Sequence, residues 1–227
     1  MFRFKELIEL WRSDNLLTQA LSDSHKMLVS TQEMFRESVK SLREKDAGEM
    51  AISVYEKDQM VNEYERKVRR KVLKHLAITG GANIIPGLIL TTIIVDIERI
   101  GDYTKNIMDL AVAHPKRLNA ASHQEQIEKI EKSVMKLFEK GIPAFESSDK
   151  DAAGRLFSEH LWMTKACDEI LEALIKETDP SLSPGDAVSA AMYTRYLKRI
   201  TAHILNIMTS VINPFEGISF RQDEDIS

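Results

Sequence analysis

The stretch Asp96-Ile-Glu-Arg-Ile-Gly-Asp-Tyr-Thr-Lys-Asn106 directly follows a strongly apolar run from Ile84 to Val95. In a helix, its side chains Glu98, Asp102 and Asn106 stand at positions i, i+4 and i+8 and share one face. The isoleucines between them form an apolar stripe beside that face. The stretch therefore predicts a packed helix that carries two carboxylates and an amide one turn apart.

Helical periodicity extends along most of the chain. Apolar residues recur at spacings of three and four, and Gly or Pro marks the breaks between segments. The pattern predicts helices over about 15–44, 49–76, 84–113, 122–145, 151–176 and 184–212. The sequence thus indicates an all-α protein.

An internal repeat organises these helices. Shifting the sequence by 100 positions brings Arg99, Ile100, Asn106, Ile107 and Met108 onto Arg199, Ile200, Asn206, Ile207 and Met208. Repetition of three long helices predicts two tandem three-helix bundles. We assign residues 1–116 to an N-terminal segment plus the first repeat, 117–214 to the second repeat and 215–227 to a C-terminal tail.

The two repeats differ at the acidic positions. Lys198 stands where the first repeat has Glu98, and Ala202 stands where it has Asp102. We therefore expect any chemistry of these carboxylates in the first repeat only.

Composition excludes several classes of protein. The 227 residues have a net charge of −4, and direct nucleic-acid binding normally requires a basic face. Cys167 is the single cysteine, so no intrachain disulfide can form, which favours a reducing cytoplasm. No secretory signal is evident, and the longest apolar run is shorter than the roughly 20 residues that cross a bilayer. We expect a cytoplasmic protein.

A second set of polar residues precedes the motif. Asp58, Asn62 and Glu65 share one face of the preceding helix, and an antiparallel arrangement would bring them towards Glu98 and Asp102. Such oxygen-rich clusters suit Mg²⁺, Mn²⁺ or iron. The alternative is a solvated acidic face whose carboxylates form ion pairs with Arg99 and Lys105.

In the second repeat, His203 together with Asp168 or Glu159 would make at most a weak metal site. No enzyme motif is present. The sequence has no Gly-x-Ser-x-Gly, no P-loop and no dinucleotide fingerprint, and no histidine has a Glu three residues before it. We assign no catalytic residue and expect no enzymatic activity.

Residues 3–12 form a short amphipathic segment with apolar side chains on one side. It could lie on a membrane surface, but packing on the bundle or on a second subunit is the interpretation we favour.

The motif Asp-Ile-Glu-Arg-Ile-Gly-Asp-x-x-x-Asn-Ile, over residues 96–107, resembles that of the PhoU family of phosphate-uptake regulators. The resemblance implies two three-helix bundles and a non-enzymatic regulator of phosphate uptake. It implies partners such as a phosphate transporter's ATPase or a sensor histidine kinase. We expect membrane association only through that partner, and a homodimer is one possible assembly. Asp96, Arg99 and Asn106 would belong to the motif face that meets a partner.

The resemblance also implies metal binding. The ligands would be Glu98, Asp102, Asp58, Asn62 and Glu65, with the ion (Fe, Mn, Mg or Zn) undetermined and multi-iron clusters in some members. The alternatives are a metal-binding or storage bundle without a phosphate role, a regulator of another ion transporter, and a scaffold whose acidic face is structural.

Overall fold

The computed structural model describes residues 15–44, 52–80, 84–114, 116–176, 179–213 and 215–218. In these ranges the chain forms helices α1 (Asn15–Glu44), α2 (Ile52–Ile78), α3 (Ile84–Ala113), α4 (Gln124–Ser147), α5 (Lys150–His160), α6 (Trp162–Ile175) and α7 (Pro184–Ile212), with 3₁₀ turns at Ala121–His123 and Phe215–Gly217. The described part contains no strand, which confirms the all-α prediction. The amphipathic segment 3–12 and most of the predicted tail lie outside the described residues.

The helix boundaries follow local sequence signals. The hydroxyl of Ser183 accepts a hydrogen bond from the backbone N–H of Asp186, and Pro184 occupies the first turn of α7. The helix predicted over 151–176 is instead two helices, α5 and α6, which meet at Leu161. Leu161 keeps helical dihedrals (φ −58°, ψ −31°), so α6 continues from α5 after a local interruption of the hydrogen-bond ladder.

The helices pack as the two predicted bundles. Helix α1 packs against both α2 and α3, and α7 packs against α4, α5 and α6. The motif helix α3 and its counterpart α7 then pack against each other and join the repeats. Both bury an apolar stripe, which includes Ile97, Ile100 and Ile107 in α3 and Leu197, Ile200 and Ile207 in α7.

A local two-fold relation connects the repeats. Tyr103 and His203 are equivalent positions 100 residues apart, and their rings stack with centroids 5.8 Å apart. Asp96 contacts His203, and at the equivalent place Tyr196 contacts Tyr103, with ring centroids 6.2 Å apart. Equivalent positions meet in this way only close to a two-fold axis, so the repeats are related by such an axis between α3 and α7.

Helices α2 and α3 run antiparallel and lie very close at one end. A Cβ atom at Gly87 would lie 2.9 Å from Cγ1 of Val72 and 3.5 Å from a methyl carbon of Leu76. Glycine is needed here because a larger residue would push the start of α3 away from the end of α2. At the other end, Lys105 of α3 reaches Asp58 of α2.

A nearly buried arginine ties the two repeats together. Arg43, near the end of α1, donates from Nη1 to the carbonyl oxygen of Leu118 at 3.0 Å, and its Nε lies 3.0 Å from Oε1 of Glu131. Its Nη2 lies 3.2 Å from Glu128. The hydroxyl of Tyr193, which is fully buried, donates to Glu131 at 2.7 Å. This cluster, which we call the Arg43 clamp, connects α1, the segment between α3 and α4 that contains Leu118, α4 and α7.

The linker after α3 is fixed to the start of α7 by a second polar cluster. The carboxylate of Asp186 accepts from Lys116 Nζ at 2.8 Å and lies 3.1 Å from Nε2 of His114. The hydroxyl of Ser183 also donates to it. These hydrogen bonds, with Lys116 contributing most, hold the pKa of Asp186 below its usual value.

No helix within the described ranges is both long enough and apolar enough to cross a membrane.

Candidate functional site

The acidic motif residues lie where α3 faces α2. Glu98 and Asp102 are half-buried and one turn apart, and their carboxyl groups are close enough to interact directly. Glu65 of α2 adds its charge to the same area. The structure therefore brings together three of the five predicted metal ligands, as the antiparallel arrangement of α2 and α3 required.

Basic side chains neutralise this area. Arg99 Nη1 lies 3.2 Å from Asp102, and Arg99 Nε lies 3.5 Å from Glu98. Lys105 Nζ lies 2.9 Å from Asp58 and 3.6 Å from Asp102, so its ammonium group bridges the two helices. Every carboxylate in this set thus has a basic partner within the chain, since Glu65 pairs with Arg69 at 2.7 Å. We call Asp58, Glu65, Glu98, Arg99, Asp102 and Lys105 the motif face.

Opposing effects of burial and neighbouring charges set the pKa values of Glu98 and Lys105 in the motif face. Burial raises the pKa of Glu98, and the neighbouring Asp102 carboxylate raises it further, while Arg99 opposes the shift. For Lys105, burial alone would lower the pKa, but the ion pairs with Asp58 and Asp102 outweigh that effect and raise it. Lys105 is therefore a firmly protonated cation at neutral pH.

The motif face as arranged does not form a metal-binding shell. Across the described ranges, no group of three or more His, Cys, Asp or Glu is placed to hold one ion. The ammonium of Lys105 occupies the space between Asp58 and Asp102 that a cation would need. Asn62, another of the five predicted metal ligands, is half-buried on the same helix as Asp58. Metal binding at these five residues stays a prediction, and it would require Lys105 and Arg99 to leave their present partners.

The three residues assigned to a partner face do not share one surface. Arg99 is exposed and Asn106 is half-buried. Asp96 is buried instead, with Oδ1 2.7 Å from Nδ1 of His203 and 3.1 Å from Nδ2 of Asn206. Its side chain faces α7, because Asp96 lies on the opposite side of α3 from Glu98. Asp96 therefore joins the repeats through its side chain, and a part for it in partner binding stays a prediction.

The second repeat has no acidic pair and instead forms an exposed ion pair within the chain. Lys198, at the position of Glu98, donates to Asp168 on α6. In this arrangement His203 contacts Asp96 and Asp168 pairs with Lys198, so the weak metal site of His203 with Asp168 or Glu159 stays a prediction. The differences between the repeats thus leave the motif face on the first bundle alone.

Sequence reasoning missed the polar cluster between the repeats. Arg199 Nε donates to the hydroxyl of Tyr103 at 3.2 Å, and its guanidinium lies 5.6 Å from the centre of that ring. Together with Asp96 and His203, these side chains bridge α3 and α7. The 100-residue shift identifies positions 103 and 203 as equivalent, but it carries no signal that equivalent positions meet.

Comparison with protein families and curated proteins gives one consistent result. Residues 25–111, which cover most of the first bundle, match the family model of the PhoU domain. Over 201 residues the chain is 26% identical to the phosphate-specific transport system accessory protein PhoU homolog 1 of Thermotoga maritima. That alignment covers 86% of this chain and 85% of the relative.

Solved structures share the fold. The crystal structure of PhoU from Pseudomonas aeruginosa superposes with a TM-score of 0.79 at 22% identity, covering 89% of this chain and 98% of that one. The phosphate transport system regulatory protein PhoU from Streptococcus pneumoniae gives 0.72 at 16% identity, covering 86% and 92%. At these identities the likeness establishes the helical-bundle fold.

Proposed function

We propose that this chain, whose residues 25–111 match the PhoU domain, is a PhoU-type regulator of phosphate transport that catalyses no reaction and acts by binding a phosphate transporter's ATPase or a sensor histidine kinase. The observation that carries the proposal is the match of residues 25–111 to the PhoU domain, because these residues include the whole motif face. The name of the Thermotoga maritima relative, an accessory protein of a phosphate-specific transport system, supports the same role.

The chemistry of the motif face suits reversible binding to a partner. The Arg99–Asp102 ion pair is solvent-accessible, and such pairs contribute only about 0.2–1 kcal/mol. A basic side chain of a partner can therefore replace Arg99 at little cost, and Arg99 is then free to pair with a partner's carboxylate. Charges arranged in this way set specificity and association rate more than affinity.

The proposed site of action is the cytoplasmic side of the membrane, where the transporter's ATPase and the kinase's signalling domains lie. Cys167 is buried, and burial raises its thiol pKa to about 12, so this residue stays unreactive in that compartment. A homodimer is a separate prediction, which sedimentation of the purified protein would check.

Deleting the gene in its native host tests the proposal. We expect cellular phosphate content or phosphate-starvation gene expression to change in the deletion strain, and a plasmid copy of the gene to restore both. Phosphate handling that stays normal at low and high external phosphate would contradict the proposal. Changed iron or manganese content without a phosphate effect would favour the metal-binding alternative instead.

A further inference from the structure

One end of the first bundle carries an unusual concentration of positive charge. Six of the nine residues 66–74 are Lys or Arg, and no Asp or Glu occurs from residue 66 to residue 95. The whole chain has a net charge of −4, so the rest of it is distinctly acidic. In the fold, the last turns of α2 and the first turns of α3 lie side by side, as the contact of Gly87 with Val72 shows.

The same end exposes large apolar side chains. Leu73 is 70% exposed, Ile78 68%, Ile84 52% and Leu88 40%. Side chains exposed to this extent project from the surface and do not line a groove. Exposing them to water is unfavourable, so a cluster of them beside basic residues indicates a surface that is covered in use.

Basic and apolar residues share one face of α2. Arg66, Arg70 and Leu73 follow one another at spacings of four and three, and Lys74 lies one turn beyond Arg70. All four side chains are exposed. Lys71, by contrast, is held by Asp23 of α1 at 2.6 Å and adds no free charge to this face.

We propose that this end of the first bundle, which we call the basic tip (Arg66, Arg70, Leu73, Lys74, Ile84 and Leu88), docks on the surface of an anionic lipid bilayer. Lys and Arg side chains bind the negative headgroups, while the projecting apolar side chains enter the boundary between headgroups and acyl chains. A basic surface with such strongly exposed apolar side chains matches a bilayer better than it matches a protein groove. The proposal is independent of the phosphate role.

Vesicle sedimentation tests the charge contribution. We expect the purified full-length protein to bind vesicles of phosphatidylcholine with about 30% phosphatidylserine, and to bind pure phosphatidylcholine at least about tenfold more weakly. The variant Arg66→Gln/Arg70→Gln/Lys74→Gln should lose at least about tenfold in apparent affinity for the anionic vesicles. Lys132→Gln/Lys136→Gln/Lys140→Gln removes three exposed charges from α4 and should bind as the wild type does.

A site-specific label tests the apolar contribution. Because the single native cysteine is buried, Leu73→Cys can be labelled selectively with an environment-sensitive fluorophore. We expect its emission to shift to the blue on anionic vesicles, whereas a label at Ile175→Cys, on the exposed surface of the second bundle, should not respond. Equal binding to both vesicle types, equal losses in the two charge variants, or no shift at position 73 would overturn the proposal. Loss of a protein partner by the tip variant, without vesicle binding by the wild type, would assign the tip to an acidic protein instead.

Discussion

Replacing Arg43 with methionine should destabilise the whole molecule, because Arg43 is the central cation of the Arg43 clamp between the two repeats. Its side chain is only 10% exposed and has four polar partners, including Glu131 at 3.0 Å. Methionine preserves much of the apolar stem but leaves Glu131 buried without its cation. Breaking a buried ion pair in this way costs about 3–5 kcal/mol. Total stability is about 5–15 kcal/mol, so the loss is large.

The same variant should also change the pH dependence of stability. Burial raises the pKa of Glu131 in the folded protein, and Arg43 opposes that shift. A carboxyl group with a raised folded pKa binds more protons in the native state, so its contribution to stability falls as pH rises from the unfolded pKa to the folded one. Without Arg43 the folded pKa of Glu131 rises further. The loss in free energy of unfolding caused by Arg43→Met should therefore be larger at pH 8 than at pH 5.

Urea unfolding followed by circular dichroism measures both effects. Lys176→Met is the matched control, since Lys176 forms an exposed ion pair with Glu172 and its loss should cost no more than about 1 kcal/mol. The double variant Arg43→Met/Glu131→Met should recover much of the loss, because the buried charge is gone. Equal stability of Arg43→Met and Lys176→Met at both pH values would show that the Arg43 clamp does not stabilise the fold.

Three further predictions follow from the polar clusters. Asp186→Asn should lower the free energy of unfolding by about 1 kcal/mol at neutral pH, as measured by urea unfolding. Because the pKa of Asp186 is lowered in the folded protein, its contribution to stability is lost as pH falls through that value. The stabilities of wild type and variant should therefore converge in acid. Lys105→Met should tighten divalent-cation binding in calorimetry, since it frees two carboxylates, and adding Glu98→Ala and Asp102→Ala should abolish the gain. Asp96→Leu should lower the melting temperature, because the nearby His and Asn side chains lose their acceptor; an unchanged melting temperature would contradict its assigned role.

Helix positions were predictable because each depends on local information. The bounds of α1, α3 and α7 agree with the periodicity, since apolar spacing and caps such as Ser183 act within a few residues. The break at Leu161 was not predictable in the same way. Leu161 has helical dihedrals, and the apolar pattern continues through it, so no local feature of the sequence marks the interruption.

The candidate site was predictable only in part. Spacing placed Glu98 and Asp102 together, and the repeat placed Lys198 in the second bundle. The role of Lys105 was not decided by spacing, because the same residues fit a metal cluster or internal ion pairs. The burial of Asp96 against His203 depends on how α3 packs on α7, which is a contact between residues 107 positions apart. Such long-range packing leaves no periodic signal in either helix.

Phosphate uptake in strains with an altered motif face shows whether this face carries the regulatory function. Glu98→Gln/Asp102→Asn removes two charges with little change in shape, and Glu169→Gln/Glu172→Gln removes two from exposed helical ion pairs of the second bundle. We expect the motif-face variant to fail to restore normal uptake of labelled phosphate to the deletion strain, while the control variant restores it. Full restoration by a folded motif-face variant would contradict the claim that this face carries the regulatory function.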